Sequence, residues 1–122
     1  MIRDEQGRLL SDEFVALVAR RFAALSEPMR IKLLDALHVG GETSVTDLAA
    51  TLGATHANVS KHLNMLFAEG IVSRRKQQTK FLYRITDETV IDICDVVCGN
   101  VRRRLRELSD LAGGSTGGPA AG

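Results

Sequence analysis

The segment 55–85 changes its hydrophobic period part-way along, and this change constrains the fold more than any other feature of the 122-residue chain. In residues 55–69 apolar side chains recur at steps of three and four, which is typical of one face of an α-helix. After Gly70 the period changes to two: Phe81, Tyr83 and Ile85 alternate with Lys80, Leu82 and Arg84, which is typical of a β-strand, and residues 71–76 are read as its antiparallel partner. The sequence therefore predicts a helix followed at once by a β-hairpin, with its turn at residues 77–79.

A shorter helix is predicted immediately before this one, over residues 44–52. Ser44 stands where a helix N-cap is expected, because its hydroxyl can accept a hydrogen bond from a backbone N–H in the first turn. Gly53 and Ala54 then break the pattern, and Thr55 is predicted to cap the longer helix. A short helix, a turn containing glycine and a longer helix form the helix-turn-helix pattern. The hairpin that follows is the wing of a winged helix.

Three further helices complete the predicted fold. Ser11 is predicted to cap the first helix, and Ser26 the second, which has Pro28 in its first turn. Thr86 is predicted to cap the last helix, which we expect to run to about Leu111. The predicted fold class is mainly α with a small β-hairpin: a winged helix-turn-helix of about five helices and a two-stranded wing.

Residues 11–112 are predicted to form one winged helix-turn-helix domain, between a flexible N-terminal tail (1–10) and a disordered Gly-rich tail (113–122). No apolar run approaches the roughly 20 residues that a membrane span needs, and the first ten residues lack the apolar region of a signal peptide. Two cysteines do not make a disulfide framework. We therefore expect a cytoplasmic protein with reduced thiols and no membrane partner.

The first and last helices carry more apolar surface than a single small domain requires. The first helix shows apolar residues on more than one stripe, and a last helix of about 25 residues would be near 37 Å long. The last helix has a seam that steps by three and four, close to a coiled-coil repeat. Its members are Val90, Cys94, Val97, Val101, Leu105, Leu108 and Ala112. The sequence therefore predicts a homodimer formed through the first and last helices.

Positive charge is concentrated in the helix and the wing. The net charge of the chain is only +1, but residues 55–84 contain six Lys or Arg residues and a single acid, Glu69. A local basic patch is the footprint expected of nucleic-acid binding. The candidate DNA-binding residues are Thr55, His56, Asn58, Ser60, Lys61, His62 and Asn64 on the helix and Arg74, Arg75, Lys76, Gln78 and Lys80 on the wing.

These candidates have different expected roles. Lys61 and the basic residues of the wing are expected to neutralise phosphates, and Thr55 to hold one at the helix N-terminus. Asn58 is expected to read adenine, together with exposed neighbours on the same helix. For His62 the alternative that it packs within the domain stays open.

The predicted function is a homodimeric, sequence-specific transcriptional regulator, a repressor, that binds a palindromic operator in double-stranded DNA. The alternative is a winged-helix module that binds protein and has neither DNA recognition nor an inducer response, and the basic patch argues against it. We do not expect an enzyme, because the sequence offers no phosphate-binding glycine loop, no paired catalytic carboxylates and no nucleophile beside a base.

Three stretches carry a family resemblance: ALSEPMRIKLLDAL (24–37), TSVTDLAATLGATHANVSKHLNMLFAEGIV (43–72) and LYRITD (82–87). With them the chain resembles the ArsR/SmtB family of bacterial winged-helix repressors, over roughly residues 14–111. The resemblance implies a homodimer that binds an operator and blocks transcription. It also implies that a metal ion or thiol chemistry usually releases the dimer from DNA.

The resemblance does not carry over the family's metal sites. Many soft-metal sensors of the family have ELCVCDL in the third helix, where this chain has Ser44 and Thr46 in place of the two cysteines. Zinc and cobalt sensors have Asp-x-His in the last helix, where this chain has Asp92-Ile93-Cys94. The positions that would complete that site fall near Leu105 and Leu108, which cannot bind a metal.

Cys94 and Cys98 are four residues apart and therefore share one face of the last helix. Three interpretations stay open. The pair can be small buried apolar residues at a dimer interface, the site of a thiol-reactive inducer, or metal ligands together with Asp92 or Asp95 and residues of a second chain. No cofactor is predicted beyond a metal ion or a thiol modification at this pair.

Overall fold

The computed structural model describes residues 3–113, so most of the predicted Gly-rich tail lies outside the described residues. The chain divides between Asp87 and Glu88 into two compact units, and each is described by itself. The first unit contains α1 (Asp12–Leu25), α2 (Pro28–Gly40), β1 (Thr43–Ser44), α3 (Val45–Leu52), α4 (His56–Ala68), β2 (Val72–Gln77) and β3 (Lys80–Ile85), and the second contains α5 (Glu88–Gly113).

Three of the predicted helix caps are confirmed. The hydroxyl oxygens of Ser11, Ser44 and Thr55 each accept a hydrogen bond from the backbone N–H three residues on, at 3.1–3.2 Å. Gly53 ends α3 with a φ of 61°, a left-handed conformation that glycine adopts without steric cost. These local signals fix where the helix-turn-helix bends between α3 and α4.

Two predicted caps are wrong. Ser26 is the C-cap of α1, its hydroxyl donating to the carbonyl oxygen of Ala23 at 2.8 Å, and Glu27 is the N-cap of α2. Thr86 lies before α5, and its hydroxyl donates to the carbonyl oxygen of Ile71 at 3.3 Å. The backbone N–H groups of Thr86 and Asp87 donate to the same oxygen. Ile71 thus closes the base of the wing.

The sheet has three antiparallel strands in the order β1-β3-β2. The wing is confirmed: β2 pairs with β3 along their full length, and residues 78–79 form the turn. Gln78 enables this turn with a φ of 58°, which is unusual for a residue that is not glycine. The third strand was not predicted, because the two residues of β1 are too few to show an alternating pattern.

The core of the first unit is aliphatic, and it fixes the orientation of α4. Apolar side chains from α2, α3, α4 and the wing are fully or almost fully buried: Leu33, Leu34, Leu37, Leu48, Val59, Leu63, Leu66, Ile71, Val72 and Tyr83. α4 packs against both α2 and α3. The inner face of α4 is therefore committed to the core, which leaves the opposite face for a ligand.

Each unit also leaves apolar side chains in solvent. In the first unit, Phe14, Leu17 and Phe22 of α1 are 48%, 60% and 54% exposed. In the second unit, most of the predicted seam of α5 is exposed, from Val97 through Leu108. Apolar faces of this kind are typical of protein–protein contacts. No helix in the described part of the chain is long and apolar enough to cross a membrane.

Residues 3–9 form a turn closed by an isolated β-bridge between Arg3 and Leu9. Inside it, Asp4 accepts a hydrogen bond from Arg8 at 2.8 Å. The flexibility predicted for residues 1–10, and the domain limits at 11 and 112, stay predictions.

Candidate nucleic-acid interface

A polar row on α4 faces the wing across a cleft of about 400 Å³. His56, Ser60 and Asn64 form this row, because a step of four residues returns to the same side of a helix. Lys80 and Thr79 line the opposite wall at the tip of the wing. The floor includes residues at the start of α3: Ser44, Val45 and Thr46. Thr46 and Thr79 were not among the predicted site residues, because no sequence pattern indicates that the start of α3 and the turn of the wing lie beside α4.

Three lysines on the two elements that form the cleft are free to meet an anion. Lys61 on α4 and Lys76 and Lys80 on the wing are exposed, and none forms an ion pair with another described residue. Gln78 is also exposed at the wing tip, whereas Asn58 on α4 is only half-exposed. The hydroxyl of Thr55 is already engaged as the cap of α4.

Arg75, a predicted phosphate contact, is paired within the protein. Its Nε and Nη2 both donate to the carboxylate of Glu42, each at 2.8 Å. These hydrogen bonds lower the pKa of Glu42 and raise that of Arg75, and the charge of Arg84 lowers the pKa of Glu42 further. Glu42 was missed in the sequence analysis, since it lies outside the basic segment and reaches Arg75 only because β1 joins the sheet. The wing therefore has less unpaired positive charge available to DNA than the number of basic residues in 55–84 indicated.

Arg74 lies between α4 and the wing. Its guanidinium carbon is 4.2 Å from the ring centre of Phe67 and 4.8 Å from that of Phe81. Its Nη1 donates to Oδ1 of Asn64 at 3.2 Å and to the hydroxyl of Tyr83 at 3.3 Å. Both Arg74 and Asn64, predicted as DNA contacts, are thus engaged with each other.

The prediction that His62 lies on the exposed face of α4 is wrong. His62 is only 7% exposed, because it follows the buried Val59 on the inner side of the helix. Nη1 of the buried Arg30 lies 3.1 Å from Nδ1 of His62, which therefore accepts a hydrogen bond, since arginine can only donate. The carboxylate of Glu27 lies 3.6 Å from the same nitrogen.

Arg30 also reaches the end of α1. Its Nε donates to the carbonyl oxygen of Ala24 at 2.7 Å, and its Nη2 to that of Ala23 at 3.3 Å. Because the last carbonyls of a helix lack partners within it, a cation at that end is stabilising. Arg30 therefore joins α1, α2 and α4, a role that its place in the sequence did not indicate.

Glu69, the one acid of the basic segment, forms an ion pair with Arg20 of α1 at 2.7 Å. The pair lies at the C-terminal end of α4, whereas the residues of α4 that line the cleft lie between His56 and Asn64. The negative charge of Glu69 is thus neutralised away from the candidate DNA-binding surface.

The thiols of α5 belong to no group of three or more potential metal ligands among residues 3–113. Among the described residues, no group of three His, Cys, Asp or Glu side chains could hold a metal ion, so Asp92, Cys94 and Cys98 lack a third partner of that kind. Both cysteines are free. Burial raises the pKa of the Cys94 thiol, and the neighbouring Cys98 and Asp95 raise it further. Ser44, which stands where soft-metal sensors have a cysteine, caps α3 instead.

Comparison with known proteins gives the same assignment as the geometry. A helix-turn-helix domain model matches residues 25–75. The chain is 37% identical over 73 residues to a cadmium resistance transcriptional regulatory protein homologue of Staphylococcus aureus, a match that covers 60% of each chain. It is 29% identical over 92 residues to a transcriptional repressor SmtB homologue of Synechocystis, covering 75% of this chain and 69% of that one.

Among solved structures, the chain is similar to the homodimeric winged helix-turn-helix DNA-binding domain of a possible ArsR-family transcriptional regulator from Mycobacterium bovis. The identity is 30%, the TM-score is 0.69, and the match covers 80% of this chain and 93% of that domain. With α4 and the wing placed around a basic cleft, the chain belongs to the ArsR/SmtB family of winged-helix DNA-binding transcriptional regulators.

Proposed function

We propose that the protein is a homodimeric repressor that acts in the cytoplasm and binds a palindromic operator in double-stranded DNA. The observation that carries the proposal is the cleft between α4 and the wing, which Lys80 lines. Lys61 and Lys76 are exposed on the same two elements, and none of the three lysines forms an ion pair with another described residue. A protein-binding module has no need of three unpaired lysines on the two elements that form one polar cleft.

In this proposal the three lysines neutralise phosphates, and the release of counterions supplies most of the affinity. His56 and Ser60, on the wing side of α4, read base edges in the major groove. Asn58 and Gln78 make additional polar contacts, and the N-terminal turn of α4 beside Thr55 faces a phosphate.

The dimer in this proposal forms through the exposed apolar faces of α1 and α5, and the related domain from Mycobacterium bovis is homodimeric. A two-fold dimer presents two copies of α4, so its half-sites are expected about one helical turn of DNA apart. Cys94 and Cys98 are the proposed site of any thiol-reactive inducer.

Fluorescence anisotropy with labelled DNA from the protein's own promoter tests this proposal. We expect affinity to fall linearly with salt on a double logarithmic plot. Lys80→Gln should make the slope shallower by about 1.8, because a dimer loses two phosphate contacts worth about 0.9 each. Lys32→Gln removes the same charge from an exposed position on α2 and is the matched control.

Two results contradict the proposal. Salt-insensitive or undetectable binding across candidate promoters excludes DNA recognition and favours the protein-binding alternative. Equal changes of slope for Lys80→Gln and Lys32→Gln show that only the overall charge matters, and that the cleft is not the interface.

A further inference from the structure

Aromatic rings from two elements converge on Arg74. This residue lies on β2 opposite Tyr83 of β3, on the face of the hairpin that contacts α4. Phe67 comes from α4 and Phe81 from β3, and both ring centres lie within 5 Å of the guanidinium carbon, at 4.2 Å and 4.8 Å. A cation over an aromatic face is attracted to it within about 6 Å. The guanidinium therefore attaches the wing to α4.

Hydrogen bonds add direction to this attachment. Nη1 of Arg74 donates to Asn64 of α4 at 3.2 Å and to Tyr83 of β3 at 3.3 Å, so each element contributes one ring and one acceptor. A planar guanidinium can stack through its faces while its edge donates, which a lysine ammonium cannot do. Phe67 and Phe81 remain 40% and 42% exposed, so Arg74 bridges rings that the core does not cover.

The contacts of Arg74 lie at the cleft between α4 and the wing. Arg74, Asn64, Phe81 and Tyr83 all line it. On α4 the polar row that is proposed to read bases begins at His56, and on the wing Lys80 is proposed to meet a phosphate. The separation between these two groups depends on the angle between hairpin and helix. Arg74 is a side chain that contacts both elements through specific atoms.

We propose that Arg74 is a positioning residue for operator binding, which holds the wing at a fixed distance from α4 instead of neutralising a phosphate. This inference rests on the proposed function, because it concerns how DNA is bound. It assigns to Arg74 a role unlike that of Lys76 and Lys80, its basic neighbours on the same hairpin.

Three variants test the inference in the anisotropy assay. Arg74→Leu removes the charge and the hydrogen bonds but keeps an apolar side chain beside the rings, and Arg74→Lys keeps the charge alone. We expect each of the two Arg74 variants to weaken operator binding about tenfold, while the salt slope stays that of the wild type. Lys80→Gln is the comparison, since its slope should fall by about 1.8.

Hydrogen–deuterium exchange of the free protein supplies a readout that a simple phosphate contact would not move. With Arg74→Leu we expect faster exchange of the backbone amides of β2 and β3, because the wing loses its attachment to α4. The core of α4 around Leu63 should keep its wild-type exchange, which shows that the variant is folded. Lys80→Gln should leave the exchange of both elements unchanged.

The inference is overturned if Arg74→Leu lowers the salt slope by about 1.8 and Arg74→Lys restores wild-type binding, because Arg74 is then a phosphate contact. Unchanged affinity of Arg74→Leu, or unchanged exchange of the wing, also overturns it. Failure of the wild-type protein to bind DNA with a salt-dependent affinity is a different result, which overturns the proposed function itself.

Discussion

Arg30→Met is expected to destabilise the protein more than any other single loss of a positive charge in the first unit. The guanidinium of Arg30 is buried, with 7% of the residue exposed, and it contacts three elements. Methionine has a similar length and fills most of the space, but it donates no hydrogen bond. The carbonyl oxygen of Ala24 and Nδ1 of His62 would each lose the donor that now lies at 2.7 Å and 3.1 Å.

The size of the effect follows from these two contacts. A hydrogen bond from a charged donor contributes about 1.5–3 kcal/mol, and an acceptor left unsatisfied in the interior keeps its desolvation cost. The carbonyl of Ala23 is less affected, because the hydroxyl of Ser26 also donates to it. Removing a buried cation recovers part of its own desolvation cost. We expect a net loss of about 3 kcal/mol in the free energy of unfolding.

Urea denaturation followed by circular dichroism measures this loss. Protein concentration must be held constant, because the stability of a dimer depends on it. Arg20→Met is the matched control: the side chain of Arg20 is 63% exposed, and its ion pair with Glu69 should contribute only about 0.2–1 kcal/mol. If Arg30→Met lowers the free energy of unfolding no more than Arg20→Met does, the conclusion that Arg30 holds α1, α2 and α4 together is refuted.

A double-mutant cycle isolates the contact that reaches α4. Arg30→Met and His62→Leu, alone and combined, should show a coupling of about 1 kcal/mol, because the two residues are in direct contact. Additive effects would mean that the 3.1 Å contact contributes nothing to stability, and that Arg30 acts through α1 alone.

Four further predictions concern the wing and the thiols. Glu42→Gln should strengthen binding in the anisotropy assay, because Arg75 becomes free for a phosphate; unchanged or weaker binding would contradict the view that Glu42 competes with DNA. Because the pKa of Glu42 is lowered, the stabilising pair should persist at neutral pH and be lost only as the pH falls through the depressed pKa, which acid titration of the Glu42 carboxyl by NMR can follow. Since the pKa of Cys94 is raised, its thiolate should form at a higher pH in the folded protein than in urea. In Cys98→Ser protein, the rate of iodoacetamide alkylation should therefore rise at a higher pH in the folded state than in the unfolded state. A rise at a lower pH in the folded state would favour an activated sensor thiol. Gln78→Gly should raise the free energy of unfolding by about 0.5–1 kcal/mol. The reason is that the left-handed strain of Gln78 costs more than the conformational entropy that glycine adds to the unfolded chain. A lower urea midpoint for this variant would show instead that the Gln78 side chain makes a stabilising contact.

The parts of the fold that depend on neighbours in sequence could be predicted. Ser11, Ser44 and Thr55 cap their helices because a cap acts over three residues, and the change of period after Gly70 indicates the wing. Ser26 has the same local chemistry, yet Glu27 takes the cap because α1 ends on Ser26 and engages its hydroxyl. When two elements compete for one side chain, local patterns do not decide the outcome.

The candidate site could be predicted only in outline. The basic segment indicates the interface, but Glu42 and Arg75 are 33 positions apart and are paired only through the sheet. The inward position of His62 could not be separated from an outward one, because a histidine fits both faces of a helix and its partner Arg30 comes from α2. Arg74 was assigned to DNA on charge alone, while its contacts depend on how the wing folds back on α4.

The carbonyl oxygen of Ile71 has a consequence for the motion of the wing. It accepts hydrogen bonds from the backbone N–H groups of Thr86 and Asp87, at 3.0 Å and 3.2 Å, so both strands are fixed together at their base. Arg74 contacts α4 three residues further on, and the two strands stay paired as far as Gln77 and Lys80. The wing is thus held at its base, beside α4 and up to its turn. Little conformational entropy should therefore be lost when the wing binds DNA.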